Sequence, residues 1–567
     1  MVSTVIKLFF ATIWALSLNA YESNGWQSSQ PLRCQSSIFC TGEILHTIQM
    51  AKIFNDSKTF VDMKLKQSAN LTIQLFEEFM AEHSDTPSRE DVRKFVNNNF
   101  EPRGSEFIPW TPNDWKENPK YLDNIKDPAF KRFAFELNGL WKVLGRKMRD
   151  EITEHNDLYS IIYVKNGVIV PGGRFHEFYY WDSYWIIRGL LYSDMFETAK
   201  GMLRNFLSIV DRFEFVPNGG RIYYLTRSHP PFLSSMVDFY VQMTGDVEFI
   251  KEALPLLERE FSFFENNYMI KVKDHFLATY GNDGISGPRP ESYYEDVKMA
   301  HDHFQTDIER GNFYSEIIAA AESGMDFSSR WFLRNGSNLG KLENIKTRSI
   351  VPVDLNAILY KNAKIIAHFH NELGNTNLAN RFEYKAKLIY DAIQAVLWDD
   401  TNGVWFDYDL VNHKLRSYFT PTNLSPLWFD CFDESNKSNI ARKILRYIES
   451  TSIDSFPGGV PNTFSQTGEQ WDYPNVWAPM QYIISEALRK LDDKNASELA
   501  DKWTTRWTRS NYIAYNQTHY MFEKYSAEEL GGHGSGGEYD VQIGFGWSNG
   551  VIIEFLARYG NKLTLTD

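Results

Sequence analysis

Between positions 185 and 213 apolar residues fall at Ile186, Leu190, Leu191, Met195, Met202, Phe206 and Val210, mostly three or four apart, the period of a helix that buries one face. Strand-like alternation is not seen there. Comparable stretches cover 232–241, 250–268, 313–321, 353–373, 378–397, 440–447, 477–491, 498–507 and 551–559, so the pattern predicts helix after helix. β-branched and aromatic residues cluster over 161–175 and 404–408 and predict short β turns or hairpins. Between the helices lie Gly/Pro-rich loops: Pro171-Gly172-Gly173, Pro217-Asn218-Gly219-Gly220, Gly287-Pro288-Arg289-Pro290, Pro457-Gly458-Gly459 and 531–537. These loops are rich in Arg, Asp, Glu and Trp, which puts the chemistry on loops held by a helical frame. No long Ser/Gly or charged linker divides the chain. The expected organisation is one catalytic domain over 161–567, with 21–160 as an N-terminal helical extension packed on it.

Composition narrows the partners. Lys plus Arg is 59 against 73 Asp plus Glu, a net charge of −14, and no basic patch reverses that field, so nucleic acid and anionic membrane surfaces are excluded as expected partners. The chain is 15% aromatic, with 16 Trp, 30 Tyr and 41 Phe, and the rings beyond those a core needs permit stacking on the faces of sugar rings. Residues 1–20 read as an export signal: Lys7 supplies a short positive region, 8–18 an apolar run, and Leu18-Asn19-Ala20 a small-residue ending with cleavage after Ala20. That run is shorter than the roughly 20 apolar residues of a membrane span, and no later stretch supplies one. Sequons at Asn55, Asn70, Asn335, Asn423, Asn436, Asn495 and Asn516 suit a secreted, extracellular glycoprotein, with Asn423 weakened by Pro426 just beyond its Ser425. Cys34 and Cys40 are close enough for a local disulfide after export, leaving Cys431 odd.

Two segments concentrate the candidate chemistry. The run Pro171-Gly172-Gly173-Arg174-Phe175-His176-Glu177-Phe178-Tyr179-Tyr180-Trp181-Asp182-Ser183-Tyr184-Trp185 sets Arg174, Trp181 and Asp182 beside a glycine turn just before a helix. Such a turn lets backbone approach a ligand closely, Arg and Asp can hydrogen-bond vicinal hydroxyls, and Trp can stack; a buried ion-pair network explains the same residues equally well. The same two readings apply to Gln470-Trp471-Asp472-Tyr473-Pro474-Asn475-Val476-Trp477-Ala478-Pro479. Gly532-His533-Gly534-Ser535-Gly536-Gly537 matches the dinucleotide pattern in letters, but no strand precedes it and no βαβ unit surrounds it. His301-Asp302-His303 has no further clustered ligands, so no metal is expected. No Gly-x-Ser-x-Gly elbow occurs.

These two segments closely resemble the signature sequences of the trehalase family, glycosidases that hydrolyse α,α-trehalose to two glucose molecules. The resemblance runs from about Cys34 to Tyr559 and includes Gly287-Pro288-Arg289-Pro290-Glu291-Ser292, Glu322-Ser323-Gly324-Met325-Asp326-Phe327-Ser328-Ser329-Arg330-Trp331, Gly537-Glu538-Tyr539 and Gly544-Phe545-Gly546-Trp547. It implies an all-α (α/α)6 toroid, hydrolysis with inversion, trehalose as the partner, and neither cofactor nor metal. By match to the family, Asp326 is implied as general acid and Glu523 as general base, with Arg174, Trp181, Asp182, Asn218, Arg227, Ser228, His229, Arg289, Pro290, Glu291, Gly324 and Glu538 implied to bind sugar. Inversion needs a protonated carboxyl at the leaving oxygen and an ionised one activating water on the other face, about 6.5–9.5 Å apart. Burial or a negative neighbour should therefore raise the Asp326 pKa, while hydrogen bonds or a cation keep Glu523 ionised. The three arginines suit a hydroxyl-rich ligand and could also pair with Glu291, Asp182 or Glu538. The glycines of 531–537 suit a flexible lid that closes over the substrate and, equally, a disordered surface loop.

Four positions depart from the family pattern, which usually has Gln at His229, Trp at Met325, Gln at Glu469 and Gly at Val476. His229 adds a titrating group near the sugar, and Met325 removes a ring beside the acid. Because both carboxylates are retained, the expectation is a working enzyme with altered binding. The alternatives are a sugar-binding paralogue without catalysis, or another inverting α-glucosidase on the same toroid.

Overall fold

Twelve helices alternate between an outer and an inner layer as the chain proceeds. The computed structural model describes residues 34–281 and 284–566, so the export signal expected over 1–20 lies outside the described residues. The outer helices are α1 (Pro128–Leu144), α3 (Phe196–Phe213), α5 (Val247–Tyr268), α7 (Thr376–Val396), α9 (Lys437–Thr451) and α11 (Lys494–Thr518), and the inner ones are α2 (Asp182–Tyr192), α4 (Leu233–Thr244), α6 (Val353–Glu372), α8 (Ser425–Trp428), α10 (Ala478–Arg489) and α12 (Gly546–Tyr559). Each inner helix packs on the next, α2 on α4, α4 on α6, α6 on α8, α8 on α10 and α10 on α12, and α12 returns to α2, which closes the ring. The fold is the expected (α/α)6 toroid. Its two layers differ for a physical reason. In α2 every residue from Asp182 to Leu191 is buried, as an element enclosed on all sides must be, whereas α3 exposes one face and buries Thr198, Ala199, Met202, Leu203, Phe206, Ile209 and Val210.

The single periodic stretch over 185–213 is two helices. Asp194 adopts a left-handed φ of 60°, a conformation Asp tolerates, and the Asp194 and Met195 amides donate back to Leu191 and Leu190. Met195 stays fully buried across the break, so the apolar register continues while the backbone turns. The inner position at α8 is a single helical turn preceded by the 3-10 turn Pro421–Leu424, too short to show a period. Small strands do form near the positions read as β-prone, Val168–Ile169, Val404–Trp405 and Tyr408–Asp409.

The helix α1 belongs to the toroid, so the segment outside the ring is shorter than residues 21–160. Its helices Glu43–Met50, Lys58–Val61, Ala69–Glu82 and Arg89–Asn99 bury a second apolar cluster of Ile44, Leu45, Ile48, Phe60, Phe76 and Phe95 against Tyr179, Tyr223 and Tyr224 of the toroid loops. A buried polar network locks this cap down. Lys58 Nζ donates to Asp62 (2.7 Å), Glu177 (2.6 Å) and Tyr223 (3.0 Å), and Arg221 pairs with Glu106 (2.5 Å). Cys34 and Cys40 form a disulfide, and Cys431 is free and buried.

Candidate active site

The Gly/Pro-rich loops gather at one mouth of the ring around a hollow of about 630 Å3, counting the solvent at its opening. Asp326, Glu523, Arg174, Trp181, Asp182, Asn218, Arg227, His229, Arg289, Glu291, Gly324 and Glu538 all line it. Two residues named with them do not. The Ser228 hydroxyl donates to the Val216 carbonyl (2.7 Å) and its amide to Glu322 (2.8 Å), while the Pro290 carbonyl accepts from Gln49 (2.9 Å), so both shape loops from behind the wall.

Each carboxyl owes its place to local geometry. Asp326 follows the helix Asp307–Glu322, whose chain is turned by Gly324 at φ 78°; a Cβ there would stand 2.6 Å from the Trp181 indole, so only glycine lets these two walls meet. Glu523 precedes the strand Lys524–Ser526, which pairs antiparallel with Asn475–Trp477, and the Trp547 indole N–H donates to the Glu523 carbonyl (3.1 Å). Arg174 rides the turn of Gly172 and Gly173, and its amide donates to Gln542 Oε1 (2.7 Å).

The floor is aromatic. Trp471 and Trp477 stack with ring centroids 3.8 Å apart, and Trp181 and Trp547 pack around them. Gln470, Trp471 and Trp477, in a segment read either as ligand contacts or as a buried network, line the hollow, as do Trp547 and Tyr539, to which the sequence assigned no role. Their signal was present, since all five sit inside the segments that carry the family resemblance. Gln470 donates to the Asp326 carbonyl (2.6 Å) and accepts from Lys524 Nζ (2.9 Å), so it ties the two carboxyl-bearing segments together. Lys524 also donates to the Gly536 carbonyl (2.8 Å), and Asn475 bonds Ser535 in both directions, which pins the 531–537 loop read as a flexible lid or a disordered surface loop.

All three arginines are paired. Arg227 donates to Glu291 (2.6 Å), Arg289 to Asp296 (2.7 Å) and Glu538 (2.9 Å), and Arg174 to Asp56 of the cap (2.5 Å). Burial pushes Asp326 up to about 7; Arg289 opposes the shift and Glu538 adds to it. Burial also raises Glu523: the hydrogen bonds and cation expected to keep it ionised are present, but desolvation outweighs the Lys524 charge, the Tyr539 hydroxyl donated at 2.9 Å and a backbone hydrogen bond from Gln542. Asp182 is pushed well up by burial and by the charges of both Glu523 and Asp326. Lys524 and Tyr539 feel both carboxyls too, so the pair shares one electrostatic neighbourhood.

The departures at polar positions are electrostatically quiet. Burial and then Arg227 push His229 well below the usual imidazole range, so it stays neutral instead of adding a titration. Burial, with Glu538, Asp472 and Asp326, pushes Glu469 up to about 8, which keeps a proton on it and leaves a neutral donor where an amide is usual. Met325 is fully buried and turned from the hollow, accepting from Arg330 at 3.4 Å, and Val476 is buried in the strand opposite Tyr525. Replacing His229 with Gln should leave both limbs of the pH–rate profile in place and change KM by no more than about threefold. A displaced limb would show that the imidazole titrates in the working range.

A carboxyl raised to about 7 by burial and a second buried carboxyl also raised, sharing a tryptophan-floored hollow at the mouth of a double helical ring, define a glycoside hydrolase. The chain belongs to the trehalase family, whose sequence profile matches residues 52–560. It is 53% identical over 544 residues to a trehalase of Apis mellifera, covering 95% of this chain and 87% of that protein, and 43% identical over 544 residues to a trehalase of Homo sapiens, covering 95% and 92%. Among solved structures, neutral trehalase Nth1 from Saccharomyces cerevisiae aligns with a TM-score of 0.55 at 25% identity, over 69% of this chain and 73% of that one.

Proposed function

We propose that this protein hydrolyses α,α-trehalose to two molecules of glucose with inversion, Asp326 serving as general acid and Glu523 as general base. The observation that carries the reading is the placement of these two buried carboxyls in one hollow, with Asp326 pushed up to about 7. Glu523 Oε1 is occupied by Tyr539, whereas Oε2 is buried without a partner among the described residues, which frees it to take a proton from water. The water oxygen attacks one anomeric carbon, the bond from that carbon to the bridging oxygen breaks, and the bridging oxygen leaves with the proton of Asp326. The water proton passes to Glu523, and exchange with solvent resets both groups. One product is released as the β anomer and the other as the α anomer. The stacked tryptophans offer flat faces to the rings, and Arg227, Arg289, Asn218 and Glu538 offer donors and acceptors to the hydroxyls.

The Asp326 pKa has a direct consequence. Its acidic form persists below about 7 and is lost above, so kcat/KM should fall about tenfold per pH unit on the alkaline side of neutrality, while the acid limb reports Glu523. A profile that stays flat to pH 9 would remove Asp326 from the acid role.

Export and glycosylation complete the reading. The Cys34–Cys40 disulfide calls for an oxidising compartment, and Asn55, Asn70, Asn335, Asn436, Asn495 and Asn516 are exposed, whereas Asn423 is buried and donates to the Tyr418 carbonyl and Tyr447 hydroxyl. A mass loss on enzymatic deglycosylation of protein from the culture medium checks both.

A further inference from the structure

We infer that Asp56 of the N-terminal cap is a positioning residue of the active site, which holds the general base Glu523 through Arg174 and Tyr539, so that the toroid alone does not make a complete site. This rests on the base assignment made above.

The contacts form a continuous chain. Asp56 takes two hydrogen bonds from one guanidinium, from Arg174 Nη2 at 2.5 Å and from Nε at 2.9 Å, the geometry that fixes an arginine in direction as well as place. The Arg174 guanidinium lies 4.5 Å from the centroid of the Tyr539 ring, and the Tyr539 hydroxyl donates to Glu523 Oε1 at 2.9 Å. A parallel link runs through Gln542, whose Oε1 accepts from the Arg174 amide and whose carbonyl accepts from the Glu523 amide.

Asp56 is itself held. Its Oδ1 accepts from the Lys58 amide at 3.0 Å, at the start of the short helix Lys58–Val61, and Lys58 is buried on Asp62 and Glu177. The neighbouring Ser57 hydroxyl donates to Glu295 (2.8 Å), and Gln49 Nε2 donates to the Ser57 and Pro290 carbonyls (2.9 Å each). The cap therefore presents Asp56 on a braced segment. Arg227 and Arg289 draw their carboxylates, Glu291, Asp296 and Glu538, from segments C-terminal to the cap, while Arg174 draws Asp56 from the cap itself.

Removing that carboxylate leaves a mostly buried guanidinium without its counter-ion. Around Arg174 stand Asp56, Tyr539, Tyr179 and Glu523; around Asp56, Arg174, Lys58 and Arg103; around Glu523, Lys524, Tyr539, Arg174, Asp182 and Asp326. The unpartnered Glu523 Oε2 is the acceptor that a released guanidinium would capture, and it is the oxygen the reaction needs for the water proton. The added positive charge would also favour the ionised base.

The test uses the full chain. Asp56→Asn and Asp56→Ala each preserve the sequon at Asn55 and Ser57, so glycosylation is not altered. Each should lower kcat about 10–100-fold, raise KM for trehalose several-fold and move the acid limb of the pH profile down by about half a unit, whereas Asp56→Glu should restore part of kcat. Tyr539→Phe should lower kcat about tenfold, and combining it with Asp56→Asn should cost little more than Asp56→Asn alone, because both act on one chain of contacts. A folded Asp56→Asn enzyme with native kcat and an unmoved acid limb would overturn the inference, as would additive losses in the double variant, or activity that falls only in step with a lowered Tm. Glu523→Gln separates the two levels: if it remains active the base assignment fails, and if it is inactive while Asp56→Asn is native-like, only the cap's role fails.

Discussion

Asp326→Asn and Glu523→Gln should each lower kcat on trehalose by about 10²–10⁴-fold while leaving KM within a few-fold, the range expected when one positioned acid or base is removed and the binding walls stay. Both substitutions keep size and polarity in a buried site, so a loss can be ascribed to the proton and not to a collapsed wall. The wild-type reaction followed by NMR from its first turnovers should show α- and β-glucose in equal amounts, since inversion occurs at the attacked carbon alone. Excess α product would signal retention, and native turnover in either variant would discard the assignment of that residue. Binding of trehalose without release of glucose by the wild type would favour a sugar-binding paralogue, and faster cleavage of maltose than of trehalose would favour another α-glucosidase.

The second large effect is on stability. Lys58→Met should cost about 3–5 kcal/mol, because it removes one of the two buried cations that Asp62 and Glu177 share and leaves Arg221, already paired with Glu106, to balance both carboxylates. Its ammonium is fully enclosed, so neither water nor salt substitutes for it. Burial opposes ionisation of Glu177, yet Lys58 and Arg221 bring its pKa down to about 2. A folded-state value below the ordinary 4.5 means that this carboxylate favours folding above about pH 4.5, and the contribution disappears as the pH falls toward 2. Lys58→Met should therefore lower the urea midpoint strongly at pH 7 and less at pH 3. Equal midpoints for variant and wild type at pH 7 would show that the cap is held by its apolar cluster alone. A Glu177→Gln partner variant should recover part of the loss in the Lys58→Met background, since it removes one of the stranded charges.

The helical period identified most of the toroid because inner and outer helices alike must turn apolar side chains toward a neighbour, and residues such as Leu203, Phe206 and Val210 repeat at that spacing whatever they pack on. The break at Asp194 was not legible, since Met195 continues the apolar series through a backbone turn. The single-turn α8 escaped for the opposite reason, being too short to have a period. In the site, motif resemblance selected Asp326, Glu523 and the three arginines, yet it also drew in Ser228 and Pro290, whose polar atoms the fold turns to Val216, Glu322 and Gln49.

Sequence by itself determined the helical class and singled out the chemistry-bearing loops and the two carboxyls proposed as acid and base, because periodicity and motif are properties of neighbours along the chain. Which groups share a wall was decided by the tertiary structure alone: it set Asp56 against Arg174 across 118 positions, stacked Trp471 on Trp477 and beside Trp181, and raised the Asp326 pKa by enclosing it. Burial and charge at a point depend on every segment that converges there, and no stretch of sequence contains that sum.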